Sequence, residues 1–214
     1  MAERNIPNCN QPLAPRGGGY YEMSLKSGLI TGVAANADLF SLRFNSAPAT
    51  GIKKRLELLF LKIDFIITTG FTVAQAVDFA AFIARAFTGS STAGTASLPP
   101  ANMNDKQSLY PNSEILANGD LRIATTAALG AGTKTLDTFP FASAVGYGAA
   151  ATGGPFRNVP FQEEFGEHHP PVVLRANEGL VIQNLTAFGA TGVGNLYVDI
   201  GWMEIIDDGM ANTW

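Results

Sequence analysis

Cysteine occurs once in this chain, at Cys9. One thiol cannot close an internal disulfide or build a zinc site by itself, so Cys9 is expected as a free thiol in a flexible arm. Histidine occurs twice, as the adjacent pair His168 and His169. Neighbours in an extended chain point to opposite faces, and the two prolines that follow hold His169 extended, so the pair does not converge on one metal ion. Charge is scarce too: 15% of residues are Asp, Glu, Lys or Arg, against roughly 25% in an average globular domain. The net charge of -4 gives phosphate backbones and anionic lipid no general attraction. Neither nucleic acid nor a membrane surface is therefore an expected partner. The longest apolar run, LELLFLKIDFII, is broken by Lys62 and Asp64 and is too short to span a bilayer. The opening stretch MAERNIPNCNQPLAPRGGG is too polar for a signal peptide, and a soluble protein made in a cytoplasm is expected.

Motifs that carry chemistry are missing as well. G-x-S-x-G does not occur, and Cys9 lies far in sequence from both histidines, leaving no activated nucleophile. The glycine-rich stretches GGG at 17–19, ALGAGT and ATGG lack the strand, loop and helix order that cradles phosphate, and they read as turns. The carboxylate pairs Glu163/Glu164 and Asp207/Asp208 read as solvated loop charge, because the aromatic residues fall at strand spacing rather than around a cleft. Cupins bind metal on a jelly roll through an HxH pair, a carboxylate and a further histidine, and this chain has neither HxH nor a third histidine. No catalytic, cofactor-binding or metal-binding residue is assigned.

What is present is texture. Residues 1–19 are rich in Asn, Pro and Gly without periodicity and read as an N-terminal arm, followed by a single domain from 20 to 214. From Tyr20 onward, YEMSLKSG, LFSLRFN, RLELLFLKIDFIITTG, DLRIATTAAL, PVVLRANEGLVIQNLTAF and NLYVDIGWMEII alternate apolar with polar residues or form β-prone runs between Gly, Pro, Asn and Ser. Six or more such strands predict an all-β fold: a sandwich, barrel or jelly roll. In the last strand Leu196, Val198, Ile200, Trp202 and Glu204 share one face, which is a core face. Strict alternation in 54–67 puts Leu56, Leu58, Phe60, Lys62 and Asp64 opposite Leu59, Leu61, Ile63 and Phe65, so both faces are apolar in the middle and the strand is expected to be central.

The segment FTVAQAVDFAAFIARAFTGS stays open between two forms. Thr72 with Gln75 fits a capping box, and Phe79, Phe82, Ile83 and Phe87 make one helical stripe, whereas Val77, Phe79, Ala81 and Ile83 make one strand face. Regions 88–120 and 138–170 are dominated by small and turn-forming residues and are expected as long loops. Loops of that length commonly function or pack on partners.

The combination of IARAFTGSSTAGTASL, DLRIATTAALGAGTKTLDTFPF, PVVLRANEGLVIQN and GNLYVDIGWMEI resembles structural proteins of tailed-bacteriophage heads, the capsid-decoration or cement group. The similarity covers roughly 55–205. It implies a jelly-roll-like antiparallel β-sandwich with long loops, bound as a homotrimer to the major capsid protein on the virion exterior, and it favours a strand over 72–88. A head-fibre, tail or baseplate component is the alternative within structural proteins. A carbohydrate-binding β-sandwich is the alternative outside them, with Tyr110 and Tyr147 as its loop aromatics. Within this frame Asn177, Glu178 and Gly179 are expected to form a tight turn, with Gly179 supplying a positive φ. Glu163 to Pro171 reads as an acidic surface loop. Interface contacts are expected from Arg4, Cys9 and Arg16 in the arm, from Tyr20, Tyr110, His168 and His169, and from Trp214 at the tail.

Overall fold

The computed structural model describes residues 19–45, 54–96, 113, 115, 121–148, 161–164 and 171–206. The first half of the chain forms β1 (Gly19–Lys26), β2 (Ile30–Thr31), β3 (Ala37–Phe44), β4 (Lys54–Thr69), β5 (Gln75–Gly89) and β6 (Thr95–Ala96). The second half adds β7 (Leu121–Ile123), β8 (Thr133–Leu136), β9 (Ala142–Gly148), β10 (Phe161–Glu164), β11 (Val172–Leu174), β12 (Glu178–Asn184) and β13 (Val193–Ile206). Two antiparallel sheets result. One runs β1-β13-β4-β10, with β11 also on β4 and β2 on β13; the other runs β6-β7-β3-β12-β5-β8, with β9 also on β5. The inner strands β1-β13-β4-β10 against β3-β12-β5-β9 are in the order of a jelly roll, two interlocked Greek keys.

The inward faces form one continuous core. Leu196, Val198, Ile200 and Trp202 of β13 meet Phe40, Leu42, Leu180, Ile182, Phe79 and Ile83 from the opposite sheet in a single buried cluster. Trp202 stacks on Tyr21 with ring centroids 5.7 Å apart. Glu204 continues this face and is fully buried, accepting a 2.5 Å hydrogen bond from Ser113 Oγ and pairing with Lys54 at 3.8 Å.

Segment 72–88 is strand, β5, from Gln75 onward. Its helical stripe has a different cause: both faces of β5 carry apolar residues. Val77, Phe79, Ala81 and Ile83 face the core. A bulge between Arg85 and Gly89, with Ala86 at φ 47°, then turns Phe87 outward to pack with Ala84, Val181 and Leu136 in a second, smaller cluster. Such bulges insert a residue and rotate the strand locally.

A second bulge corrects the reading of β4. Gly201 pairs with Phe60 and Trp202 with Leu58, leaving Leu59 unpaired between them. The slip of one residue reverses which parity faces inward. Leu56 and Leu58 before it, and Leu61, Ile63 and Phe65 after it, are all core residues, while Lys62 and Asp64 face away. One face is apolar throughout, not two.

The expected long loop over 138–170 contains two strands, β9 and β10. Glu163 and Glu164 accordingly belong to β10, paired with Leu61 and Phe60, and not to an acidic loop. Ser113 and Ile115, within the other expected loop, are fully buried. The DLRIATTAAL strand ends at Ile123, and residues 124–132 then span the width of the second sheet to reach β8. Leu129 N–H donates to the Asp38 carbonyl on the way (2.8 Å). Lys134 reaches back, its Nζ 2.6 Å from Asp38 Oδ2 with side chains 5% and 4% exposed, and 5.1 Å from the Phe87 ring centre. Gln183 donates to the other Asp38 oxygen at 2.7 Å.

Candidate interaction surface

The sequence-predicted turn residues lie within the described chain, at 175–179. Glu178 N–H donates to the Arg175 carbonyl at 2.9 Å, closing a four-residue turn, and Glu178 Oε2 accepts from Arg175 N–H at 2.8 Å. The residue at positive φ is Asn177, at 62°, and not Gly179. Asn tolerates the left-handed region better than other side chains, and a type II turn requires it at this position. Gly179 is needed for space: a Cβ there would lie 2.2 Å from the Leu42 carbonyl oxygen and 2.6 Å from the Phe87 ring. The turn does not join paired strands. β11 belongs to one sheet and β12 to the other, so it is the corner between them, held by Asn177 N–H to Phe44 O and Phe87 N–H to Asn177 O, each 2.8 Å.

Charge collects at this corner. Arg85 forks onto both oxygens of Asp137 at 3.2 Å and bonds Glu178. Asp137, and after it Glu178, hold the Arg85 guanidinium above its ordinary pKa.

The opposite end of the sandwich is different in kind. Register places the β1–β2–β3 connection, the β4–β5 loop and the β12–β13 loop together there, since Thr31 and Thr69 both pair with Val193 and Asn184 pairs with Phe79. No Asp, Glu, Lys or Arg occurs in 27–37, 65–77 or 179–198. Phe71 and Phe188 anchor the β4–β5 and β12–β13 loops from beneath, 6.2 Å apart, with Phe65 and Phe79 packed on Phe188 at 5.4 and 6.0 Å. Gly192 admits the Phe71 ring, which would lie 2.0 Å from a Cβ at that position. The loops also bond to each other: Thr72 N–H donates to Thr191 Oγ1 at 2.9 Å, Gln75 Nε2 to Ala187 O at 3.1 Å, and Phe188 N–H to Val33 O at 2.8 Å. On this braced base Leu29 (50%), Ile66 (46%) and Val73 (73%) are exposed. Asp38, which follows the first neutral run, is covered by Lys134 as described above. Among the described residues the end is therefore a preformed, uncharged surface with projecting aliphatic groups, the composition of an interface centre.

Of the residues expected to make contacts, Arg4, Cys9, Arg16, Tyr110, His168, His169 and Trp214 lie outside the described residues. Tyr20 is half-buried on β1, opposite Met203, and its hydroxyl donates to Glu22 at 3.3 Å. Tyr147, expected in a loop, stands on β9 and is 59% exposed. Sequence reasoning missed Leu29, Ile66 and Val73. Their signal was the run of residues without charge around each, scattered over three parts of the chain until the topology gathers them.

Among the described residues no group of three or more His, Cys, Asp and Glu side chains is placed to hold a metal ion. No described helix is long and apolar enough to cross a membrane. Neither a scan against protein-family models nor a search of curated proteins finds a match to this chain.

Proposed function

We propose that this chain is a non-enzymatic virion structural protein that decorates an icosahedral shell, acting as a homotrimer on the exterior lattice of the major capsid protein. The observation that carries the reading is the neutral loop end. Removing charged groups from water is the costly part of forming an interface, and the three described loops at this end have none to remove. The loops are already braced by Phe71 and Phe188, so little ordering entropy is lost on docking. Binding to the assembled shell but not to its dissociated parts stabilises the shell by mass action. The resemblance of residues 55–205 to phage head proteins supports the same reading, as does the low charge of the whole chain.

The test is stoichiometry. Quantitative mass spectrometry of density-purified particles should find the chain at a fixed copy number relative to the major capsid protein. Its absence from particles overturns the virion reading. Finding it at a few copies, with the tail or baseplate fraction, replaces decoration by a tail role.

A further inference from the structure

On the face of the second sheet turned away from the core, next to the neutral end, register and residue size imply a shallow depression. Cross-strand register builds it. Asp78 of β5 lies opposite Val145 of β9, and Ala76 opposite Tyr147; opposed residues of antiparallel strands project to the same side. Val77, Phe79 and Ala144 face the core, so these four face outward. On the other flank Leu185 N–H donates to the Asp78 carbonyl at 2.8 Å. Small Ala76 and Asp78 thus lie between the larger Leu185 on one side and Val145 and Tyr147 on the other, all three of which are exposed. Ala80, the next outward residue of β5, is fully buried, and the depression ends there.

We propose that this depression is a binding site for a neutral saccharide, with Tyr147 as the stacking platform and Asp78 as the hydroxyl acceptor. Asp78 Oδ2 accepts a 3.1 Å hydrogen bond from Thr186 Oγ1, which orients the carboxylate, while Oδ1 is buried and accepts none among the described residues. A buried acceptor without a donor calls for one; a two-fold flip of the carboxylate only exchanges its oxygens, so a ligand hydroxyl either reaches the buried oxygen or shares the oxygen that Thr186 holds, through its second lone pair. Sugar hydroxyls supply donors, and the C–H face of a pyranose suits an exposed phenol ring that is itself an amphipathic surface. Diagonal neighbours across paired strands, as Asp78 and Tyr147 are, stand about 7–8 Å apart, the span of one ring with its hydroxyls. An anion is disfavoured by the carboxylate. A divalent cation lacks further ligands among the described residues. No charged residue occurs in 138–148, which matches a neutral ligand. The site borders the loop end, sharing Leu185 and Thr186 of the β12–β13 loop with it, but its ligand-facing groups Tyr147 and Asp78 stand on the sheet face.

The experiment is titration of the isotope-labelled full chain, followed by chemical shifts, with methyl glycosides of glucose, galactose, mannose and N-acetylglucosamine and with lactose and chitobiose. At least one should saturate, with shifts centred on 76–78, 145–147 and 185–186. Tyr147→Ala and Asp78→Asn should each weaken it about tenfold, the loss of one stacking contact or one charge-assisted hydrogen bond, at unchanged melting temperature. Tyr147→Phe should retain most of the binding. The proposal is overturned if no saccharide of the set saturates at its solubility limit, or if binding persists unchanged in both variants. It also falls if Tyr147→Ala abolishes only self-association of the chain, which would make the depression a protein contact.

Discussion

Replacing Gly179 by Ala adds one methyl group where there is no room for it. The new Cβ would lie 2.2 Å from the Leu42 carbonyl oxygen and 2.6 Å from Phe87 Cδ1, against an ordinary van der Waals separation of roughly 3.5–4.0 Å. Phe87 is a side chain that can rotate, but the carbonyl belongs to the β3 backbone, itself paired to β12 at Gly179↔Arg43 and Leu180↔Leu42. Relief therefore requires the ladder to move. Overpacking of this kind costs about 1–3 kcal/mol, and for a chain of this size that lowers the melting temperature by roughly 2–12 °C. The comparison that isolates the cause is Asn177→Gly. At φ 62° glycine has no steric cost, so this variant should stay within about 0.5 kcal/mol of wild type, whereas Asn177→Ala should lose about 1 kcal/mol. Urea denaturation of the three variants, read by tryptophan fluorescence and by circular dichroism, measures all of this. A double-mutant cycle of Gly179→Ala with Phe87→Leu should recover only the ring's share of the loss. If Gly179→Ala proves neutral and Asn177→Gly destabilises, the roles assigned to the two residues are wrong.

Three further outcomes follow from other parts of the molecule. Lys134→Met strands the Asp38 carboxylate, whose side chain is 4% exposed beneath it, and should destabilise by about 3–5 kcal/mol in chemical denaturation; adding Asp38→Asn should restore most of the loss, and failure to do so would show that the pair is not coupled. Gly201→Ala sets a Cβ 2.2 Å from the Phe60 ring and should lower the melting temperature, with Phe60→Ala in the same chain relieving the clash. Val73→Asp places a charge in the centre of the neutral end. It should leave stability within about 0.5 kcal/mol, as exposed substitutions do, while reducing retention on particles by at least about tenfold, a loss of 1.4 kcal/mol, in a sedimentation assay.

The sandwich was legible because β13 keeps its alternation over the whole inward face from Leu196 to Glu204. β4 was legible as a strand but not as a face, since the extra residue at Leu59 breaks the period and nothing local announces it. β5 imitated a helix because Phe79 and Ile83 are needed on one side and Phe82 and Phe87 lie on the other. The turn at Asn177 was found, yet the φ was assigned to Gly179 because glycine is the default occupant of that region. What excludes a side chain at Gly179 is Phe87 and the Leu42 carbonyl, both remote in sequence. The neutral end was written in the sequence only as absences. Three charge-free runs become one surface when strand register brings Thr31, Thr69 and Val193 together.

β13 lies between β1 and β4, and it is the last strand of the described chain. On a ribosome β1 and β4 emerge long before it and find no partner for the edges they will give to it. Sheet one therefore stays split, and the second sheet's core face only partly covered, until residues 193–206 arrive. Closure is a late event made of contacts distant in sequence, which is the slow kind, and the split intermediate presents open strand edges that attract other chains. A stop codon a few residues before Val193 would thus be far more damaging than its length suggests, yielding aggregates in place of a slightly shortened protein.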